Sequence, residues 1–280
     1  MTDRSTIAFF PEPGAWGPTN DCAAIAEVLR ERGHRCVFVV DESFAGVLEG
    51  RGFEEQLFRT APPEENPDPC ADPWSEFIRV TAPEFRKPTI DQISTVTKPI
   101  WETLVAAAQY SHERVMAIWD EVHPDVVVTD NVTGCPAVEL AGAPWVRIVS
   151  CNPLEMRDPE LPPPLSGLPV AGDRYEWQAF RDEYHRVHAD LLREHNEFRA
   201  SVGVAACPRD EFNTSSPWLN LYEFPAAADY RLAQPLGPTW QGWIRRCAPP
   251  RRPSTSTSTC RGTARSSTCR SAPWAAWTSA

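Results

Sequence analysis

The sequence predicts an α/β protein built on a doubly wound parallel sheet. Three observations carry that expectation. Short apolar runs alternate with helical stretches from Thr6 to Ser150. The run Cys36-Val37-Phe38-Val39-Val40 is apolar at every position, as a strand covered on both faces requires. Gly and Pro punctuate the joins between runs.

Taken in order, Thr6–Phe10 reads as the first strand and residues 11–20 as a Pro/Gly loop. Cys22–Arg32 follows as a helix, with apolar Ala23, Ile25, Ala26, Val28 and Leu29 and a stop at Gly33. Cys36–Val40 is the second strand. Glu42–Glu49 is a short helix ended by Gly50 and Gly52, and Phe53–Phe58 is a third strand. A Pro- and acid-rich loop over 61–73 and a helical turn over 74–80 come next. Thr89–Glu121 is long and helical, interrupted at Pro99. Asp125 opens the strand Val126–Thr129, which ends at Asp130. Residues 134–141 form a short helix and 145–150 a strand. Residues 151–172 are Pro-rich and too long for a plain connector. Arg174–Ala200 is a helix with a polar face, and 219–222 and 235–237 close the set.

Composition bounds the classes. Of 280 residues, 42% are hydrophobic and 23% charged, which marks a globular chain. The net charge of -11 argues against nucleic-acid or membrane-surface binding. That charge divides unevenly. Residues 241–280 hold seven Arg, no Lys and no acid, so the first 240 carry 20 basic against 38 acidic side chains, a net of -18. The last forty residues also contain 13 Ser/Thr and no Leu, Val or Phe, and cannot build a core.

Trp243, Trp274, Trp277, Cys247, Cys260 and Cys269 are too many Trp and Cys for a solvated extension, and 254–259 is a strict Ser/Thr alternation. Shifting the reading frame turns that alternation into apolar and polar residues in turn, the period of a half-buried strand. One allowed back-translation from Arg265 onward then reads Leu-Val-Tyr-Leu-Ser-Leu-Gly-Ser. The expectation is a fold over residues 1–240 and a disordered tail over 241–280, translated out of frame after Trp240. An uninterrupted frame in close relatives that keep this tail would contradict it.

There is no signal-peptide pattern at the N-terminus and no apolar run near the roughly 18 residues of a membrane span. Cys22, Cys36, Cys70, Cys135, Cys151 and Cys207 form no Cys-x-x-Cys pair and read as buried thiols in a reducing cytoplasm.

The sequence contains no GxGxxG, Walker A, GxSxG or HExxH pattern. His185, His188 and His195 share a helix without a completing carboxylate or Cys pattern, so a solvated helix face is expected there rather than a metal site. Doubly wound sheets bind ligands beyond the carboxyl ends of their strands. Three polar segments leave strands at that edge: residues 14–20, Asp130-Asn131, and Ser150-Cys151-Asn152-Pro153. Asn20 or Asp21 would cap the first helix. Asp130 would either orient a base or bind a hydroxyl, or cap the next helix. The convergence of all three segments points to a cleft.

The segment Arg32-Gly33-His34 with its following strand resembles the start of macrolide-type UDP-glycosyltransferases of the GT-B fold. His123-Pro124-Asp125-Val126-Val127-Val128-Thr129-Asp130 resembles that family's fourth strand, and Ala143-Pro144-Trp145-Val146 the entry to its fifth. Pro235-Leu236-Gly237-Pro238 resembles the close of its N-terminal domain. The order and spacing of these segments cover nearly all of 1–240. The off-frame reading resembles the strand and turn that open the family's second domain.

The resemblance implies the Rossmann-like N-terminal half of a GT-B fold, which binds the acceptor, while a missing C-terminal domain binds the nucleotide-sugar. It implies hexose transfer to a hydroxyl of a small apolar acceptor, with no metal and no cofactor held by this chain. The family's general base is a His in the first loop, oriented by the Asp that ends the fourth strand. That Asp matches Asp130, the candidate catalytic residue. The His position falls at or near Trp16, and residues 11–21 contain no His. Either Asp130 is itself the base, or another group is, or the parent is not a standard transferase. Trp16, Thr19, Asn20, Asn131, Asn152, Leu161 and Leu165 are expected to line the acceptor pocket. The chain alone is expected to be inactive. The alternatives are a non-catalytic small-molecule-binding domain and a pseudogene product.

Overall fold

The computed structural model describes residues 4–63, 73–151, 157–224, 229–232 and 235–242. Its strands are β1 (Thr6–Pro11), β2 (Arg35–Asp41), β3 (Glu54–Phe58), β4 (Val126–Asp130), β5 (Trp145–Val149), β6 (Leu219–Tyr222) and β7 (Trp240–Gly242). Among the described residues they form one sheet of seven, ordered β3-β2-β1-β4-β5-β6-β7, and every neighbouring pair is parallel. The chain winds outward from β1 to β3 and then returns to the other side of β1. The switch point therefore lies between β1 and β4. This is the doubly wound α/β sheet expected from the sequence.

The fully apolar strands divide their side chains between two cores, because successive residues point to opposite faces. Ile7, Phe9, Cys36, Phe38 and Val40 pack under α1 (Trp16–Glu31), which comes close through the small residues Cys22, Ala23 and Ala26. Ala8, Phe10, Val37 and Val39 pack under the long α4 (Lys98–Val122), through Val115, Ile118, Trp119 and Val122. The buried Trp119 indole donates to the Ala137 carbonyl at 2.8 Å. At one edge, β3 carries Glu54, Glu55 and Gln56. Polar side chains suit a strand with one open side.

Several sequence expectations are corrected. The first helix starts at Trp16, within the expected loop. Pro18 is no obstacle there, since the first-turn N–H groups lack intrahelical partners in any case. Ala15 occupies the N-cap position with no side-chain bond, so neither Asn20 nor Asp21 caps the helix. The expected helix over 42–49 is instead two short 3-10 turns, Glu42–Phe44 and Glu49–Arg51. The turn expected over 74–80 is α2 (Pro73–Thr81), and the break in the long helix precedes Pro99: α3 (Thr89–Gln92) passes through a π turn at Ile93–Thr97 into α4. The closing strand is Trp240–Gly242 rather than 235–237, and it carries the sheet two residues past Trp240. The expected disordered tail from 243 onward lies outside the described residues, as do Asn152 and Cys70.

The largest correction concerns α6 (Arg174–Ser201). His188 and His195 are 1% and 0% exposed, not part of a solvated face. The helix packs on α4, and the chain after it folds back so that Leu191 and Leu192 join Val105, Cys207 and Phe212 in one cluster. The opposite face, with Gln178, Asp182, Arg186, Asp190, Arg193 and Glu197, stays exposed, as the polar pattern predicts. Of the cysteines, Cys22, Cys36, Cys135 and Cys207 are buried, while Cys151 is exposed. Among the described residues no helix is long and apolar enough to cross a membrane.

Candidate functional site

The carboxyl ends of β1 and β4 meet at the switch point, where open α/β sheets place ligands. Pro11 and Asp130 are register partners. The Glu12 N–H donates to the Asp130 carbonyl at 2.9 Å, which fixes the strand ends side by side. Asp130 is 4% exposed. Its carboxylate accepts the Ser150 hydroxyl at 2.8 and 3.1 Å, a bridge from the end of β4 to the end of β5. The short helix that follows, α5 (Pro136–Glu139), is preceded by Cys135 at its N-cap position, so Asp130 caps no helix.

Acids gather at this edge. Glu12, just past β1, accepts the Val132 N–H at 2.7 Å. Glu223, just past β6, donates its N–H to the Val149 carbonyl at 3.2 Å. Burial first, and then the charges of Asp130, Asp21 and Glu223, hold the Cys22 thiol well above its usual range. The Cys135 thiol is pushed up to about 12 by burial. Neither sulfur is a nucleophile near neutral pH.

Asn131 braces the site from behind. Its amide nitrogen donates to the Phe10 carbonyl at 3.0 Å and to Thr129 Oγ1 at 2.7 Å. Its carbonyl accepts Asn213 Nδ2 at 2.6 Å. Gly134 donates its N–H to the Phe212 carbonyl at 2.7 Å. A Cβ at Gly134 would stand 2.9 Å from Asn213 Oδ1 and 3.3 Å from Asn213 Cα, so only glycine admits this approach. Behind these residues, buried Arg199 pairs with Glu139 at 2.9 Å.

The structure gathers some of the residues named from sequence and separates others. Asp130 and Asn131 share the switch point with the 12–16 turn. Trp16 opens α1, stays 49% exposed, and leans on Phe44 with ring centroids 4.8 Å apart. Thr19 is 2% exposed and its hydroxyl donates to the Ala15 carbonyl at 2.7 Å, which points to a helix role rather than a pocket lining. The Asn20 side chain accepts Arg51 Nη1 at 3.2 Å, on the turn before β3. Asn131 sits within the brace described above. Leu161 is buried at 4%, with its carbonyl accepting Arg181 at 2.7 Å, whereas Leu165 is 47% exposed.

Glu12, Asn213 and the bond from Ser150 to Asp130 were missed as site features. Position placed Ser150 at this edge from the sequence and could have pointed to Glu12 in the same way: each is the first residue past a strand of the central sheet.

A larger cavity of about 730 Å3 lies elsewhere, between the 87–95 segment and α6, lined by Lys87, Asp91, Asp182, Glu183 and Arg186 among others. It is open and holds both signs of charge, with Lys87 and Arg186 already paired to Glu84 and Glu183. The polar strand ends at the switch point are the candidate site.

No protein-family model matches this chain, and no curated protein does. The chain is similar to glycosyltransferases of known structure. The Streptomyces sp. SF2575 glycosyltransferase SsfS6 is 15% identical, with 80% of this chain and 51% of that one covered and a TM-score of 0.43. The glycosyltransferase VinC, solved in complex with DTDP, is 18% identical, with 82% and 51% covered and a TM-score of 0.44. The spinosyn forosaminyltransferase SpnP is 14% identical, with 86% and 51% covered and a TM-score of 0.46. The chain spans about half the length of these proteins.

Proposed function

We propose that the described sheet is the acceptor-binding half of a GT-B glycosyltransferase, one that moves a hexose from a nucleotide-sugar to a hydroxyl of a small apolar acceptor with inversion. The observation that carries this reading is the Asp130 carboxylate, nearly buried at the switch point and held by Ser150. Asp130 takes the proton from the acceptor hydroxyl. The oxygen then attacks the anomeric carbon opposite the leaving nucleoside diphosphate, so one displacement inverts the centre. Trp16 stands at the head of α1, where the resemblance would place a His, which leaves the base role to the acid. Trp16 supplies an aromatic wall beside it.

The acidic edge supports a division of labour. Glu12, Asp130 and Glu223 would repel a diphosphate. Donor binding is accordingly assigned to a second domain, and the composition of 241–280 supports its being encoded in another frame. Sugar transfer would then draw on both domains. The buried, unpaired Cys22, Cys36, Cys135 and Cys207 support a reducing cytoplasm.

Calorimetric titration of the chain with UDP- and dTDP-hexoses, apolar phenols and macrolactones tests the reading. Acceptors are expected to bind and nucleotide-sugars are not. Sugar transfer by the purified chain would overturn it. The lack of a His in 11–21 favours one other reading, a non-catalytic binding domain; an Asp130→Asn chain joined to an intact donor domain separates the two, since only the enzyme loses turnover.

A further inference from the structure

Three of the six histidines are buried, His112, His188 and His195, and all three lie in one layer. His112 comes from α4 and meets Phe198 of α6 edge-on, with ring centroids 5.5 Å apart. His188 and His195 come from α6 and lie 6.1 and 6.2 Å from Phe212. Phe212 also stacks on Trp101 of α4 at 5.2 Å. The two apolar clusters against the sheet contain no histidine among the described residues. Phe212 belongs to the 202–213 segment that returns along α6. That return is tied to the helix by the Cys207 N–H, which donates to Asn196 Oδ1 at 2.8 Å, and by Arg199 Nε, which donates to the Ala205 carbonyl at 2.7 Å. At its far end the Phe212 carbonyl accepts the Gly134 N–H, and Asn213 donates to the Asn131 carbonyl. Whatever seats Phe212 therefore also holds the loop after Asp130.

The layer has no place for an imidazolium. Neither His195 ring nitrogen, nor His112 Nδ1, nor His188 Nε2 has a hydrogen-bond partner among the described residues. His188 Nδ1 faces the Tyr184 carbonyl at 2.8 Å. A ring cation held there would be a buried charge without its counter-ion. His195 faces Arg199 one turn on, itself paired with Glu139 of α5. Around His188 stand Arg157 ahead of α6, Lys98 at the start of α4, and Asp210 on the return, which His185 engages at 2.5 Å. His112 feels Glu113 of its own helix. Burial is the leading cause at all three and holds them below the ordinary value, His195 at about 4. Glu211 on the return works the other way, because burial pushes its carboxyl up and acid relieves it. One carboxyl thus stands against three imidazoles. The Cys207 thiol is pushed up to about 11 by burial and stays neutral throughout.

We propose that α6 and the 202–213 return form an acid-released latch: protonation of His112, His188 and His195 frees the return from α6 and lets go of the loop after Asp130, while the sheet stays folded. Release is local because the buried histidines lie in this layer and not in the cores against the sheet. With an ordinary value near 6.5 in the open layer and about 4 in the closed one, His195 alone raises the open fraction about thirtyfold between pH 7.5 and pH 5. The sign is that of a depressed folded-state value: the closed layer is favoured above about pH 6.5 and loses ground as pH falls toward 4.

Hydrogen exchange of the full chain at pH 7.5 and pH 5, compared as protection factors, tests the latch. The Cys207 and Gly134 amides are expected to lose at least thirtyfold in protection, while those of β1, β2 and β4 keep theirs. His195→Phe should shrink the loss at Cys207 and Gly134 at least tenfold. A second measurement needs no substitution: ring-carbon spectra of 13C-histidine chain should show His188 and His195 neutral until those amides open. Unchanged protection of the return at pH 5 overturns the latch. So does a simultaneous loss in the sheet strands, an undiminished loss in a folded His195→Phe chain, or a charged His195 ring beneath a return that stays protected.

Discussion

Replacing Ser150 by Ala removes a hydrogen bond to a carboxylate that is 4% exposed. Bonds to charged groups contribute about 1.5–3 kcal/mol, and neutral ones about 0.5–1.5. Ser150 is only half-buried, so water replaces part of what is lost. The expected cost is therefore about 1.5 kcal/mol, in the lower part of the charged range. The charge-specific share follows from a double-mutant cycle with Asp130→Asn. In the Asp130→Asn background Ser150 still meets a neutral oxygen, and its removal should cost about 0.7 kcal/mol, a coupling of about 0.8 kcal/mol. Urea denaturation at pH 7 of the four chains measures each term. A coupling below about 0.3 kcal/mol would show that Ser150 does not hold the carboxylate, and the assignment of Asp130 as an oriented base would lose its support.

Three further outcomes follow from the geometry. Gly134→Ala forces a Cβ to 2.9 Å from Asn213 Oδ1 and should cost about 1–3 kcal/mol, whereas Gly17→Ala, with nothing within 4 Å, should be neutral or stabilising; urea midpoints of the two chains decide. Glu139→Ala strands the fully buried Arg199 and should cost about 3 kcal/mol, the low end of the range for breaking a buried pair because Glu139 is partly exposed. A stabilised or unchanged chain would refute this. His195 is pushed down to about 4, by burial and then by Arg199, from an ordinary value near 6.5. A depressed folded-state pKa means that the unfolded chain takes the proton first. This contribution is therefore complete above about pH 6.5 and is lost as pH falls toward 4, by about 3 kcal/mol in all. The stability-pH curve of His195→Phe should be flatter across that window than that of the parent chain; parallel curves would contradict it.

Much of the frame is legible in the sequence because a parallel sheet covered on both faces demands unbroken apolar runs. Cys36–Val40 and Val126–Val128 have no other economical reading, and an acid directly after such a run must stand at the carboxyl edge. Errors cluster where local pattern and tertiary context disagree. The loop signals at 11–20 conceal the first turn of α1, because Pro18 is tolerated where no N–H is required. α6 does present the solvated polar face its sequence suggests, but His188 and His195 lie on the other face, buried against α4 and the returning 202–213 segment. Thr19 and Asn131 look like pocket residues by type and position; the structure commits the Thr19 hydroxyl and the Asn131 amide nitrogen to bonds within the fold.

Composition and period alone determined the doubly wound sheet, its central strands, and Asp130 at the tip of the fourth strand, since these depend on residue spacing and on which faces must be apolar. Tertiary structure alone decided what Asp130 meets: the Ser150 hydroxyl past β5 and the Glu12 N–H past β1. It also brought Asp210 to His185, 25 positions away along the chain. The physical reason is range. Periodicity is written into neighbouring residues, whereas a hydrogen-bond partner is set by how distant segments pack, and no local pattern encodes that.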